Sequence, residues 1–214
     1  MAYRKYDTCF FERYAILALQ TLLGHKFDGL VNEDRPDLQS PDGRSLGIEV
    51  TRAMEQGREQ ALQMLKDLSG LTAVDNPSAE DRAIVSAGYG YGIRKGKYIG
   101  GMELGYWKTA KPLRDIIANK VGKVTSGFYG EFSEFGLFVF CRDLLSEAVV
   151  EDAIRYTMSL QKDADTRYAR LFLFDAAHLY ACNLEDDIAF SYRITDIKLT
   201  SELRHKFYFG ALKY

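Results

Sequence analysis

The chain has 214 residues, 47% of them hydrophobic and 13% aromatic, with a formal net charge of −2. That length and apolar content suit a single domain, 1–214, with a substantial core. No apolar run approaches the ~20 residues of a bilayer span. The opening residues, MAYRKYDTCFFERYA, carry charges within their apolar stretch and lack a small-residue cleavage site, so a cytoplasmic protein with no membrane partner is expected.

Cys9, Cys141 and Cys182 lie far apart without CxxC spacing, which predicts buried reduced thiols over disulfides or a zinc site. His25, His178 and His205 are equally scattered, and none falls in an HExxH-like pattern. Zinc hydrolase chemistry is not indicated.

Residues 9–23, CFFERYAILALQTLL, read as a buried helix capped by Asp7 or Thr8 and stopped at Gly24. Glu12 shares a face with Ile16, Leu19 and Leu23. It either points outward in the first turn, favoured by the helix dipole, or reaches toward a site on the neighbouring sheet. Residues 25–31 read as a strand or extended entry.

The stretch 35–51, RPDLQSPDGRSLGIEVT, reads as two short strands around the turn signal Asp42-Gly43. With Asp42-Gly43-Arg44 as the loop, Asp37 falls opposite Glu49; a two-residue loop would move the register by one. Alternation then puts Glu49 and Thr51 on one face and Ile48 and Val50 on the other. Opposed side chains have Cβ atoms ~4.5–5.5 Å apart. Two carboxylates that close repel unless a positive charge sits between them, and a hard divalent cation is a natural candidate.

A helix is expected over 54–69, less regular chain over 71–85, and a Gly/Tyr-rich insert over 86–108. Its tyrosines and Arg94, Lys95 and Lys97 could stack on bases and hold phosphates, or the stretch could be a plain hairpin packed on the body. Pro112 opens a helix to about Val124, whose apolar stripe is Leu113, Ile116/Ile117, Val121 and Val124. Lys120 falls within that stripe and could project its ammonium into a site; Lys123 lies nearer the edge. From Arg94 to Lys123 eight basic residues face two acidic ones, whereas 28–42 carries five acids against Arg35. A basic wall beside an acidic pocket suits a polyanion, although two ordinary solvated surfaces would look the same.

EFGLFVFC (134–141) reads as a buried strand, 147–161 as a helix started near Ser146, and RLFLFD (170–175) as a second buried strand. That order predicts a parallel pair joined by a crossover helix. Weaker strands are expected at 180–182 and 188–194, and a short helix at 201–206.

The N-terminal helix, then Pro36-Asp37, then Gly47-Ile48-Glu49-Val50-Thr51, resembles the PD-(D/E)xK nuclease superfamily. The resemblance implies an α/β fold with a restriction endonuclease-like core: a mixed central sheet flanked by helices, built from a helix, three antiparallel strands, a helix and a parallel strand. It further implies a metal-dependent nuclease, in which Asp37 and Glu49 hold one or two Mg²⁺ or Mn²⁺ ions against a scissile phosphate of DNA. Glu12 matches a helix carboxylate that some members use as a further ligand, and enzymes of this kind often dimerise. Thr51 stands where the motif lysine belongs and cannot supply a cation. Lys120, or secondarily Lys123, is the candidate for a migrated lysine; otherwise the chain is a degenerate module that binds nucleic acid or a partner without cutting.

Overall fold

The computed structural model describes residues 10–53, 93–94, 97–98, 112–142, 144–186, 189 and 191–212. Helix α1 (Phe10–Leu23) leads through a 3-10 turn (His25–Phe27) to strands β1 (Val31–Asn32), β2 (Leu38–Gln39) and β3 (Leu46–Ala53). A separate small hairpin pairs β4 (Ile93–Arg94) with β5 (Lys97–Tyr98). Helix α2 (Leu113–Thr125), strand β6 (Glu134–Cys141), helix α3 (Glu147–Gln161) and strand β7 (Tyr168–Phe174) follow. Strands β8 (His178–Asp186) and β9 (Ser191–Lys198) and helix α4 (Ser201–Leu212) close the described chain.

The described strands form a seven-stranded mixed sheet in the order β1-β2-β3-β6-β7-β8-β9. β1, β2 and β3 pair antiparallel, β3, β6 and β7 run parallel, and β7, β8 and β9 are antiparallel again. The protein is therefore an α/β protein with helices on both sheet faces. The apolar run of β6 follows from its position between β3 and β7. It sends Phe138 and Phe140 to one face and Leu137, Val139 and Cys141 to the other.

The first face is covered by α1 and α4 and is strongly aromatic. The Tyr14 ring meets Phe140 of β6, Phe174 of β7 and Phe207 of α4 edge-on, at centroid distances of 5.6, 5.4 and 5.6 Å. Such pairs add about 0.5–1.5 kcal/mol each beyond burial, so one side chain fastens α1 to two strands and a second helix. The second face is covered by α2 and α3 through Ile117, Val121, Val124, Val150, Ile154 and Met158. The Ser146 Oγ accepts from Val149 N and caps α3, as its sequence suggests.

Several boundaries differ from the sequence expectations. Residues 25–31 give a 3-10 turn and only the beginning of the short β1, because the chain reverses there with its backbone satisfied locally by Gly24 and His25 carbonyls. The Asp42 loop spans 41–45 and not 42–44. Its carboxylate accepts from Ser40 Oγ, Arg44 N and Ser45 N at 2.6, 3.0 and 3.0 Å and closes a wider turn about the same centre. β8 and β9 run longer than 180–182 and 188–194 and begin at different residues, since they pair with each other along nearly their whole length. The helix from Ser201 extends to Leu212, because Phe207, Tyr208, Phe209 and Ala211 bury beneath α1. Pro112 occupies the N-cap position of α2, one place before the helix. The expected helix at 54–69, the irregular 71–85, and Asp7, Thr8 and Cys9 lie outside the described residues; Cys141 and Cys182 are buried and form no disulfide. Among the described residues no helix is long and apolar enough to cross a membrane.

One glycine sets how closely the site can form. A Cβ on Gly47 would fall 2.6 Å from Pro36 Cγ and 3.1 Å from Phe132 Cγ. The missing side chain is what lets Pro36, and with it Asp37, lie against β3. We therefore expect Gly47→Ala to lower stability by about 1–3 kcal/mol, the usual range for overpacking. Chemical denaturation should show a lower midpoint with an unchanged slope.

A two-carboxylate site at the edge of the parallel sheet

The register of β2 against β3 builds the site. Leu38 pairs with Ile48 and Gln39 with Gly47, so the next step outward sets Asp37 across from Glu49. Ile48 belongs to the α1 face of the core, and the alternation turns Glu49 to the α2 face. β2 begins only at Leu38, leaving the amide of Val50 without a ladder partner from an earlier β2 residue. The Asp37 side chain fills that place: its Oδ2 accepts from Val50 N at 2.8 Å. The carboxylate thus lies at the sheet edge, where groups from either face can act on it.

Its electrostatics follow from that position. Burial pushes the Asp37 pKa up from 3.8, with the Glu49 charge adding to the rise, to about 7. The Val50 amide opposes the shift, Glu12 adds to it and Lys120 opposes it.

Lys120 supplies the nearest positive charge. The Lys120 Nζ forms an ion pair with Glu49 Oε1, and the two side chains are only 13% and 7% exposed. Helix α2 places it there by burying Ile117, Val121 and Val124 on either side of Lys120 in sequence. The Tyr168 hydroxyl of β7 donates to the Lys120 carbonyl at 3.2 Å and fixes the helix turn that carries the ammonium.

Tyr129 lies beside the same carboxylate. It follows α2 in a turn where Gly127 and Gly130 adopt φ of 73° and 81°, a left-handed conformation that glycine accepts without strain. The turn folds Tyr129 inward to 3% exposure. Burial raises its pKa, and the negative charge of Glu49 adds to that. Its buried hydroxyl lies beside the Glu49 carboxylate and the Tyr168 hydroxyl, and both act on its titration through hydrogen bonding as well as charge.

The remaining predicted residues are placed less centrally. Glu12 is carried by α1, on the opposite sheet face from Glu49. It accepts from Asn32 Nδ2 at 2.9 Å, and the same amide group donates to the Asp37 carbonyl at 3.1 Å. Asn32 therefore links Glu12 to Asp37. Thr51 is half-buried in β3, paired with Val139 of β6. Lys123 packs its ammonium over the Phe128 ring, 5.0 Å from the centroid, and is not part of the carboxylate cluster. Arg114, from the same basic segment, is paired with Asp152 at 2.9 Å and stacked over Tyr156 at 4.0 Å. These two helix-surface cations do not line the carboxylates. Arg94 and Lys97 lie on the β4–β5 hairpin, and Lys95 lies outside the described residues.

Asn32, Tyr129, Tyr168 and the Val50 amide were not singled out by the sequence. Only Tyr129 carries a local signal, an aromatic pair bracketed by glycines in Gly127-Phe-Tyr-Gly130.

The donor set is chemically suited to a hard cation: carboxylate oxygens, partly buried, with more negative charge than Lys120 alone can balance. Among the described residues no three Asp, Glu, His or Cys side chains are grouped closely enough to hold a metal by themselves. An ion at this place would use Asp37 and Glu49 and complete its shell with water or substrate oxygens, as Mg²⁺ commonly does.

Two stability measurements test these electrostatics. Between pH about 4 and about 7 the folded protein keeps the Asp37 proton that the unfolded chain gives up. Stability contributed by this group therefore falls as pH rises through that window and is level above it. Asp37→Asn should be more stable than the parent at pH 8, with the difference shrinking toward pH 4 in paired urea titrations. Lys120→Met leaves Glu49 buried and unpaired, a loss of about 3–5 kcal/mol, and the double variant with Glu49→Gln should recover much of it. Comparison of the chain with protein-family models, curated proteins and solved structures gives no match.

Proposed function

We propose that the protein is a metal-dependent nuclease, hydrolysing phosphodiester bonds in DNA, with a core of the restriction endonuclease-like kind. One observation carries the reading: Asp37 and Glu49 stand across adjacent strands, and a lysine from a different element, Lys120, reaches the same carboxylate. A two-carboxylate pair with an attendant ammonium is the chemistry the PD-(D/E)xK resemblance calls for, and Lys120 offers the cation that Thr51 cannot. The element order supports it as well, since α1, the antiparallel β1-β2-β3, helix α2 and the parallel β6 follow in that sequence.

Each residue has a role under this reading. Asp37 and Glu49 would hold a Mg²⁺ or Mn²⁺ ion, which when bound polarises the phosphoryl group and acidifies a water. Asp37 is the pair's proton-sensitive member, and it must give up its proton before it can act as a ligand. Lys120 orients the Glu49 carboxylate in the resting protein and places positive charge beside the region where negative charge develops on the phosphate. Asn32 fixes Glu12 next to Asp37, which keeps the local field negative and favours a cation.

A second reading has its own observation. Lys120 already neutralises Glu49, and no described trio of ligands is grouped for a metal. A chain in which that ion pair replaced the metal would be a nuclease-like module that binds nucleic acid or a protein without cutting.

The two are separated by titrating the protein with Mn²⁺ in a calorimeter and by incubating it with plasmid, linear and branched DNA plus Mg²⁺ or Mn²⁺. We expect one carboxylate-dependent Mn²⁺ site, and cleavage that disappears in Asp37→Ala and Glu49→Ala. Lys120→Met should slow cleavage by on the order of 10²–10³-fold, the usual cost of one charge-stabilising donor. Cleavage that survives both alanine variants would sink the catalytic assignment; absent metal binding would favour the module.

A further inference from the structure

We propose that Arg35, Phe128 and Lys123 form a rim that holds the phosphodiester backbone of a single DNA strand beside the Asp37–Glu49 site. The proposal rests on the nuclease reading above and adds a surface that reading does not contain. Three observations carry it.

First, two cations are gathered on one exposed ring. The Arg35 guanidinium lies 5.3 Å from the Phe128 ring centroid, and the Lys123 ammonium lies 5.0 Å from it. Phe128 is 46% exposed, and its ring holds close together two charges that would otherwise repel each other. Phe128 N donates to the Lys123 carbonyl at 3.1 Å, so the end of α2 fixes the ring beside the lysine.

Second, the packing that builds the site also builds this cluster. Pro36 and Phe132 both lie over the bare Cα of Gly47, and Ser133 N donates to the Arg44 carbonyl at 2.8 Å. These contacts hold the loop before β2 against the turn after α2. Arg35 stands two residues before Asp37 in the loop, and Phe128 stands next to Tyr129, the neighbour of Glu49, in the turn. Arg35 takes φ 65°, the one positive φ of a non-glycine residue among the described residues. Side chains enter that region at a cost, and such positions concentrate at binding sites.

Third, the rim has the sign that a polyanion needs there. Residues 28–42 carry five acids, so a strand approaching the carboxylates is repelled unless cations meet it first. Lys120 is engaged with Glu49 and does not serve. Arg35 faces Asp34 at 3.6 Å, but both side chains are exposed, and so weak a pair exchanges readily for a phosphate. Among the described residues the Lys123 ammonium meets no carboxylate. What remains exposed of the Phe128 ring offers apolar surface to an unpaired base, which a duplex keeps inside its stack.

The test titrates a fluorescein-labelled oligothymidylate of about 16 nucleotides, the upper site size of a single-strand binding fold, with the full chain. EDTA keeps the strand uncut, and anisotropy is read at several salt concentrations. Arg35→Gln and Lys123→Gln should each reduce the slope of log K against log salt by about 0.7, the value of one single-strand phosphate contact. Phe128→Leu keeps apolar cover on the turn but loses the ring. Its affinity should fall about two- to fivefold, the equivalent of one exposed cation–π contact. Arg193→Gln removes an exposed arginine from β9, at the far edge of the sheet, and should leave the slope unchanged. Equal slopes in the parent and both charge variants would overturn the proposal, as would a parent that leaves the oligonucleotide unbound. An equal fall in Arg193→Gln would overturn it too, by reducing the effect to net charge. If the slopes change as expected while no metal ion supports cleavage, the nuclease reading falls and the rim stands. If the parent cleaves DNA and all three rim variants bind and cleave as it does, the rim falls and the nuclease reading stands.

Discussion

Excess negative charge at the rim of a tightly packed sheet is the condition around which this protein is arranged. Hydrogen bonding between β2 and β3 fixes Asp37 against Glu49, and neither residue can withdraw without breaking the register that buries Leu38 and Ile48. Partial burial strengthens the repulsion between them, because the local medium screens less than water. The chain answers with one amide from β3, one ammonium from α2 and the option of holding a proton on Asp37. Those three answers are incomplete as charge balance.

The rest of the architecture makes that rigidity possible. α1 and α4 seal one sheet face with an aromatic layer, and α2 and α3 seal the other with aliphatic side chains. The two layers differ in what they do for the site. The aromatic face anchors β3 from below through Ile48 and Val50 and brings Glu12 to the rim. The aliphatic face carries Lys120 and holds its helix turn by the backbone, through Tyr168.

Much of this was legible in the sequence. β6 and α3 begin and end where their apolar runs and the Ser146 cap suggest, because burial on both sheet faces and a serine N-cap leave strong local marks. The Asp37–Glu49 opposition was also readable, even though the loop joining the strands is wider than expected, since a symmetric widening about Gly43 keeps the register. Lys120 stood out as a cation within an apolar stripe. Tyr168 did not, because its strand was expected to begin at Arg170 and the bond it makes is to a backbone carbonyl 48 positions away. Nor did Asn32, whose role depends on β1 lying beside β2 and on α1 passing over the sheet edge. Side chains that act through long-range packing leave no periodic trace. The lengths of β8, β9 and α4 were understated for a similar reason: they are set by pairing and by contact with α1, not by strong local propensity.

The separation of Lys120 from Glu49 has a consequence for how this protein can change. The two are 71 positions apart in the chain, yet each is fixed by its own anchors. β3 is held by its parallel pairing with β6, and α2 by its packing on α3 and its bond to Tyr168. The stretch that joins them does not have to set their distance. A change that loosens α2 from α3 would therefore withdraw the ammonium while leaving the β2–β3 register, and with it the opposed carboxylates, in place.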